Sequence, residues 1–114
     1  MVDKQFLLVI QSSGIGDGTI DLSEKLMNSF FKTLSESDSF PSKIIFLNTG
    51  VFLTSANSPV LEELRKLEEL GVEMISCTTC LKYFNRMEEL SIGKAGNMKE
   101  TVSSIANYAK VVAL

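Results

Sequence analysis

The only two cysteines in the chain stand three positions apart, in Cys77-Thr78-Thr79-Cys80. The strand-like run Val72-Glu73-Met74-Ile75-Ser76 precedes them, and the short amphipathic stretch Leu81-Lys82-Tyr83-Phe84 follows. A thiol at the carboxyl end of a strand and the start of a helix meets unpaired backbone N–H groups and a partial positive charge. Both favour the thiolate over the thiol. An ordinary cysteine, with a pKa of ~8.5, is only a few per cent ionised at neutral pH. Lowering that value by one unit takes about 1.4 kcal/mol, and a helix terminus supplies ~0.3–1 kcal/mol, or more when partly buried. That is enough to make a nucleophile, though not an extreme one. Thr78 or Thr79 is expected to cap the turn that follows. Asn85, which tolerates the left-handed conformation, is expected to end it. Lys82 is a nearby cation that could add to the effect, although a lysine there more often sits in solvent.

The chain contains no histidine. Ser-His-Asp and Cys-His mechanisms are therefore excluded in cis, as are His-rich zinc sites. A four-ligand zinc site would need carboxylates or a cysteine pair from a second subunit. Any activation of these thiols must come from main-chain dipoles or a lysine.

The 114 residues amount to one domain, residues 1–114, with enough chain for one sizeable core. Apolar content of 45% and charged content of 22% are ordinary for a soluble globular protein. Eleven basic against fourteen acidic residues give a net charge of −3, and no basic cluster supports a nucleic-acid partner. No apolar run approaches the ~18 residues of a membrane span. The opening Met1-Val2-Asp3-Lys4 leads into an apolar run too short for a signal peptide. The expected compartment is the cytoplasm, where a cysteine pair is reduced rather than a structural disulfide.

Four short apolar runs must position the cysteines: Phe6-Leu7-Leu8-Val9-Ile10, Ile44-Ile45-Phe46-Leu47, Val72 to Ile75, and Val111-Val112-Ala113-Leu114. Runs this brief and this uniformly apolar read as strands buried on both faces, the parallel-sheet pattern. Helical stripes lie between them. Leu22, Leu26, Met27, Phe30, Phe31 and Leu34 make one, with Asp21 and Glu24 as a capping box. Val60, Leu61, Leu64 and Leu67 make a second, opened by Ser58-Pro59 and closed by Gly71. Met98, Val102, Ile105, Ala106 and Ala109 make a third, with Asn97 and Glu100 as its capping box. A brief strand is expected near Ser91-Ile92-Gly93. The alternation predicts an α/β fold, a mostly parallel sheet of about five strands with helices on both faces. By the switch-point rule its chemistry belongs at the carboxyl ends of the strands. Loops 11–19, 48–57 and 76–80 would gather there.

Two of those loops invite functional readings of their own. Ser12-Ser13-Gly14-Ile15-Gly16-Asp17-Gly18-Thr19 follows a strand and precedes a helix, as a phosphate loop does. Its spacing fits neither glycine fingerprint, because Thr19 stands where a third glycine is needed and Gly-Lys-Ser/Thr is absent. It reads as a turn bending tightly over the site. Asn48-Thr49-Gly50-Val51-Phe52-Leu53-Thr54 is either a wall of the thiol pocket, or an oligomer contact, or a loop folding Phe52 and Leu53 back onto the core.

Several of these segments resemble one known family. They are Ser12 to Asp17, Asn48-Thr49-Gly50-Val51, Ser58-Pro59-Val60-Leu61, Gly71-Val72-Glu73, Cys77-Thr78-Thr79-Cys80-Leu81-Lys82-Tyr83-Phe84 and Gly96-Asn97-Met98. The resemblance is to the DsrE/DsrF-like domain, closest to the form at the C-terminus of YedF-type proteins linked to selenium metabolism. It extends over nearly the whole chain, and the cysteine block is its most specific part. Two positions depart from the pattern, Thr78 and Asn85 each standing where glycine is usual. The resemblance implies a flavodoxin-like three-layer α/β/α domain that carries sulfur as a cysteine persulfide, and subunits that assemble into homo-oligomers. It also implies a protein partner that donates or accepts sulfur, such as a TusA-like carrier. Cys77 falls at the sulfur-accepting position and Cys80 at the second cysteine, with Thr78, Thr79, Ser12, Asn48 and Gly50 in support. On this reading Cys77 takes the outer sulfur of a donor persulfide, and Cys80 resolves it by closing a disulfide. No metal or organic cofactor is required.

Two other readings use the same residues. A thioredoxin-like dithiol redox protein shares the two-residue spacing and the strand-to-helix placement, although here the pair comes late in the chain. A non-catalytic binding or assembly module would keep both cysteines in its core, where most buried cysteines are inert.

Overall fold

The structure, a computed structural model, describes residues 1–114. Each apolar run forms a strand: β1 Val2–Ile10, β2 Phe40–Phe46, β3 Glu73–Cys77 and, at the end of the chain, β5 Lys110–Ala113. The brief strand β4 lies at Lys94–Gly96, just beyond its expected place. The helices are α1 Ile20–Ser35, α2 Leu61–Glu69, α3 Thr78–Tyr83 and α4 Met98–Asn107. Tighter 3₁₀ turns run over Asn48–Thr54 and Met87–Glu89.

All five strands are parallel, in the order β4-β3-β2-β1-β5. This is the flavodoxin-like three-layer α/β architecture. From β1 to β4 each strand is added on the same side, so right-handed crossovers put α1, α2 and α3 on one face. The connection from β4 to β5 runs back across the sheet, and α4 covers the other face. The cores follow this division. Leu8, Ile10, Ile44, Phe46 and Met74 pack with Met27 and Phe31 of α1, Leu64 and Leu67 of α2, and Leu81 of α3. Leu7, Val9, Ile45 and Ile75 point the opposite way and form a smaller core near Tyr108.

Local chemistry explains most helix ends. Asn97 Oδ1 accepts the Glu100 N–H at 3.0 Å, so α4 has its side-chain cap. At the end of α2, Gly71 takes a φ of 103°. The Val72 and Gly71 amides then close onto the carbonyls of Leu67 and Glu68, a Schellman motif. Asn85, with φ 56°, ends α3 in the same way: the Arg86 amide reaches the Leu81 carbonyl and the Asn85 amide that of Lys82. The capping box expected at Asp21 does not form. Helix α1 begins at Ile20 after Thr19, with no side-chain cap, because loop 11–19 is strapped onto the first turn instead. The Ile15 N–H binds the Ser23 carbonyl at 3.0 Å, and Ser23 Oγ donates to the Gly16 carbonyl.

The stripe expected to seat α4 points outward. Met98, Val102 and Ile105 are 51%, 59% and 47% exposed, while Thr101 and Ser104 face the sheet. The cause is Lys43, a buried lysine on β2. Its Nζ donates to Ser104 Oγ at 2.8 Å and lies 3.1 Å from a Glu100 carboxylate oxygen and 3.9 Å from one of Glu73. A buried ammonium needs such partners, so the polar face of α4 turns inward. Periodicity shows which residues share a face, but not which face meets the sheet. No helix is long and apolar enough to cross a membrane.

Gly50 is required where the 3₁₀ turn crosses β1. A Cβ at this position would lie 2.7 Å from the Ile10 carbonyl oxygen, a main-chain atom that cannot swing away. Gly50→Ala should lower unfolding free energy by about 1–3 kcal/mol, the usual cost of overpacking. An unchanged urea midpoint would show that the turn has room to move.

Candidate functional site

The parallel register between β2 and β3 sets Phe46 opposite Ser76, so both strands end at one level. The residues that follow, Asn48 on one side and the cysteine pair on the other, therefore turn together at the carboxyl edge. A buried hydroxyl pair, Thr54 Oγ1 and Ser76 Oγ at 2.7 Å, ties the 3₁₀ turn to β3 just below them.

Helix α3 starts at the residue after Cys77, with no loop between. Cys77 is therefore at once the last residue of β3, paired with Gly96 of β4, and the N-cap of α3. Its side chain is packed in, 2% exposed, and its sulfur accepts no capping hydrogen bond. The expected accessible Cys77, lit by the first amides of its own helix, is not what forms. The main-chain amide reaches the other thiol and comes from another loop. The Asn48 N–H points to Cys80 Sγ at 3.1 Å. Cys80, in the first turn of α3, is only partly buried, and both cysteines are free thiols.

Asn48 can present its amide because its backbone is left-handed, with φ 52°, a conformation that asparagine tolerates and β-branched residues avoid. Its own Oδ1 accepts the Thr49 N–H at 2.9 Å. Thr49 Oγ1 in turn accepts the Ser13 N–H at 3.1 Å, which locks the loop after β1 to the turn after β2. Ser12 is spent locally, its Oγ donating to the Gly14 carbonyl. The first two predicted loops thus meet, and the third joins them through Cys80. Thr78 caps nothing; its Oγ1 donates to the Gly96 carbonyl at 3.1 Å and holds α3 to β4. Thr79 is exposed. Of the 48–54 segment, Val51 and Leu53 fold into the core. Phe52 instead packs against Phe84, the ring centroids 4.8 Å apart and the planes tilted by 51°, with the Arg86 guanidinium 5.0 Å from its ring centroid. Ser13 and Thr49 lie in loops expected to gather here, but their bond to each other was not foreseen, nor was the part played by Phe84 and Arg86. Their partners lie far away in sequence, and no local spacing announces them.

Opposing forces act on Cys80. Burial pushes its thiol above the ordinary cysteine value, the Asn48 N–H pulls it back, and the adjoining Cys77, by hydrogen bond and by charge, pushes it up again. The net direction is upward. Cys80 is thus mainly a neutral thiol near pH 7 that becomes a nucleophile as the pH rises. A persulfide sulfur or a disulfide partner at Cys80 would have Cys77 beside it. Nowhere do three or more potential metal-ligating side chains come together.

A cleft of about 330 Å³ is lined by Ser13, Glu24, Asn28, Phe52, Ser58 and Arg86 among others. Neither sulfur lines it; Ser13 of its wall bonds Thr49, the residue after Asn48, and Phe52 of its wall packs on Phe84 of the segment that follows Cys80.

The fold recurs in small proteins of low sequence identity. YchN from E. coli superposes with a TM-score of 0.68 at 16% identity, covering 98% of this chain and 100% of that one. MTH1491 from Methanobacterium thermoautotrophicum gives 0.70 at 13%, with 98% and 100% covered. BT1422 from Bacteroides thetaiotaomicron gives 0.62 at 14%, with 96% and 95% covered. The last two are described as proteins of unknown function. At these identities the likeness shows the architecture alone. No protein-family model and no curated protein matches the chain.

The upward push on Cys80 has a kinetic signature. Its alkylation by iodoacetamide, followed by peptide mass spectrometry, should be slow at neutral pH and rise with a midpoint above the ordinary thiol value. Cys77→Ala removes both contributions of the neighbour and should move that midpoint down. A midpoint unmoved in Cys77→Ala would mean that the two sulfurs do not interact.

Proposed function

We propose that this protein is a persulfide carrier, loaded and unloaded through the Cys77–Cys80 pair. The observation that carries the reading is the Asn48 amide on Cys80 Sγ, with a second reduced thiol alongside. A main-chain donor aimed at a partly exposed sulfur stabilises the thiolate that attacks and the persulfide anion that results. The family resemblance assigns the accepting role to Cys77. Exposure favours Cys80 as the point of entry, because Cys77 is sealed by packing and an incoming donor meets Cys80 first.

In the loading step the Cys80 thiolate attacks the outer sulfur of a donor persulfide. The donor S–S bond breaks, the donor leaves as a thiolate that takes up a proton, and Cys80 holds the transferred sulfur. An acceptor thiolate can then attack that outer sulfur and restore the free thiol. Alternatively the Cys77 thiolate attacks the inner sulfur, which expels hydrosulfide and leaves a Cys77–Cys80 disulfide for an external dithiol to reduce. The donor or acceptor is a persulfide-bearing protein or small thiol, in sulfur or selenium metabolism as the resemblance suggests. Homo-oligomerisation belongs to the same reading.

The thioredoxin-like alternative rests on the same paired thiols. It requires a disulfide that cycles with a protein substrate, and insulin reduction with a recycling system separates it from sulfur carriage.

Intact mass spectrometry after incubation with a persulfide donor tests the assignment. The wild-type chain should gain the mass of one sulfur atom. Cys80→Ser should lose that gain, whereas Cys77→Ser should load but release no hydrosulfide unless a thiol is added. Loading of Cys80→Ser at the wild-type level would reject Cys80 as the entry point. Absence of loading in every form would reject sulfur carriage.

A further inference from the structure

The 330 Å³ cleft lies at the small end of the ~300–1,000 Å³ range of ligand sites. Its wall carries one carboxylate, Glu24, and one guanidinium, Arg86, with the amide of Asn28 and the hydroxyls of Ser13 and Ser58 between. Glu24 has no ion-pair partner in the chain. Arg86 is held in place: its Nη1 binds a Glu89 carboxylate oxygen at 3.0 Å, and its guanidinium lies over the Phe52 ring. Only Nη1 is spent within the chain, which leaves further N–H donors of the fork for a carboxylate. One free anion and one oriented cation lining the same small polar cleft complement a ligand that carries both charges.

Two wall residues of the cleft connect it to the elements that hold the thiol. Ser13, on the cleft, donates its N–H to Thr49, the residue after Asn48, and the Asn48 N–H binds Cys80. Phe52, also on the cleft, packs on Phe84, four residues beyond Cys80.

We propose that this cleft binds the zwitterionic head of a free amino-acid thiol or its hydropersulfide, with the ammonium on Glu24 and the carboxylate on Arg86. The donor for Cys80 is then a low-molecular-weight amino-acid persulfide rather than a protein. This rests on the sulfur-carrier reading and specifies its substrate. The balance is unchanged: the amino-acid S–S bond breaks, its outer sulfur bonds to Cys80, and the amino-acid thiolate departs and is protonated.

S-methylcysteine tests the binding without the chemistry, since its thioether neither gives nor takes sulfur. Titrated into the wild-type chain and followed by amide NMR shifts, it should bind saturably and perturb Ser13, Asn28, Phe52 and Arg86. Glu24→Gln and Arg86→Gln should each weaken it about tenfold while keeping the wild-type thermal midpoint. 3-(Methylthio)propanoate lacks the ammonium and 2-(methylthio)ethylamine lacks the carboxylate; each should bind about tenfold more weakly than S-methylcysteine. Absence of saturable binding, unchanged affinity in both variants, or equal affinity for either single-charge analogue would overturn the proposal. These outcomes are independent of sulfur loading from other donors, so the cleft assignment and the carrier reading fail separately.

Discussion

The site depends on one constraint, the register between β2 and β3. With Phe46 opposite Ser76, the chain leaves both strands at the same height. Only then can the amide of residue 48 lie against the sulfur of residue 80. A parallel register is cooperative, because each slip of one residue turns a strand's buried side chains to the opposite face. Ile44, Phe46 and Met74 fill the larger core while Ile45 and Ile75 fill the smaller, so slippage would expose both sets at once. The hydrophobic sheet thus enforces a polar contact at its edge. The Thr54–Ser76 hydroxyl pair and the lack of room for a side chain at Gly50 reinforce it from either side.

The two faces of the sheet follow different physics. On the face of α1 to α3, apolar side chains meet apolar side chains and the core is continuous. The opposite face carries Lys43 and Glu73 among its isoleucines, and a lone helix must serve both. Helix α4 offers its polar positions to the ammonium and leaves Met98, Val102 and Ile105 to solvent. A hydrogen bond to a charged group contributes about 1.5–3 kcal/mol, comparable with burying one aliphatic side chain at about 1.5–3 kcal/mol. The larger consideration is the several-kilocalorie penalty of an unpaired buried ion, and it settles how the helix is rotated.

Around the sulfurs the balance is finer. Desolvation raises the Cys80 thiol, one amide lowers it, and the neighbouring thiol raises it again. Burial is the largest of these influences, so the balance comes out on the side of the neutral thiol. A thiol poised in this way is reactive on demand rather than permanently ionised.

The chain's order of elements, its parallel sheet and the placement of two thiols at a strand-to-helix junction are legible in the sequence. Short apolar runs, helical periods and end signals such as Asn97, Gly71 and Asn85 are local, and local preferences agree with the global fold here. Three things were not legible. The switch-point rule places chemistry where neighbouring strands diverge, between β1 and β5, yet the cysteines follow β3, because strand order is a long-range property. The rotation of α4 was set by a lysine 61 residues away from its partner serine. Which thiol receives an amide was decided by a loop 32 residues upstream of Cys80, since the helix begins so abruptly that Cys77 is still packed as strand. Sequence alone determined which residues can do sulfur chemistry and on which elements they lie. Tertiary structure decided which sulfur is reachable and what stands beside it, because burial and hydrogen bonding are properties of neighbours in space and the spacing of residues along a chain does not contain them.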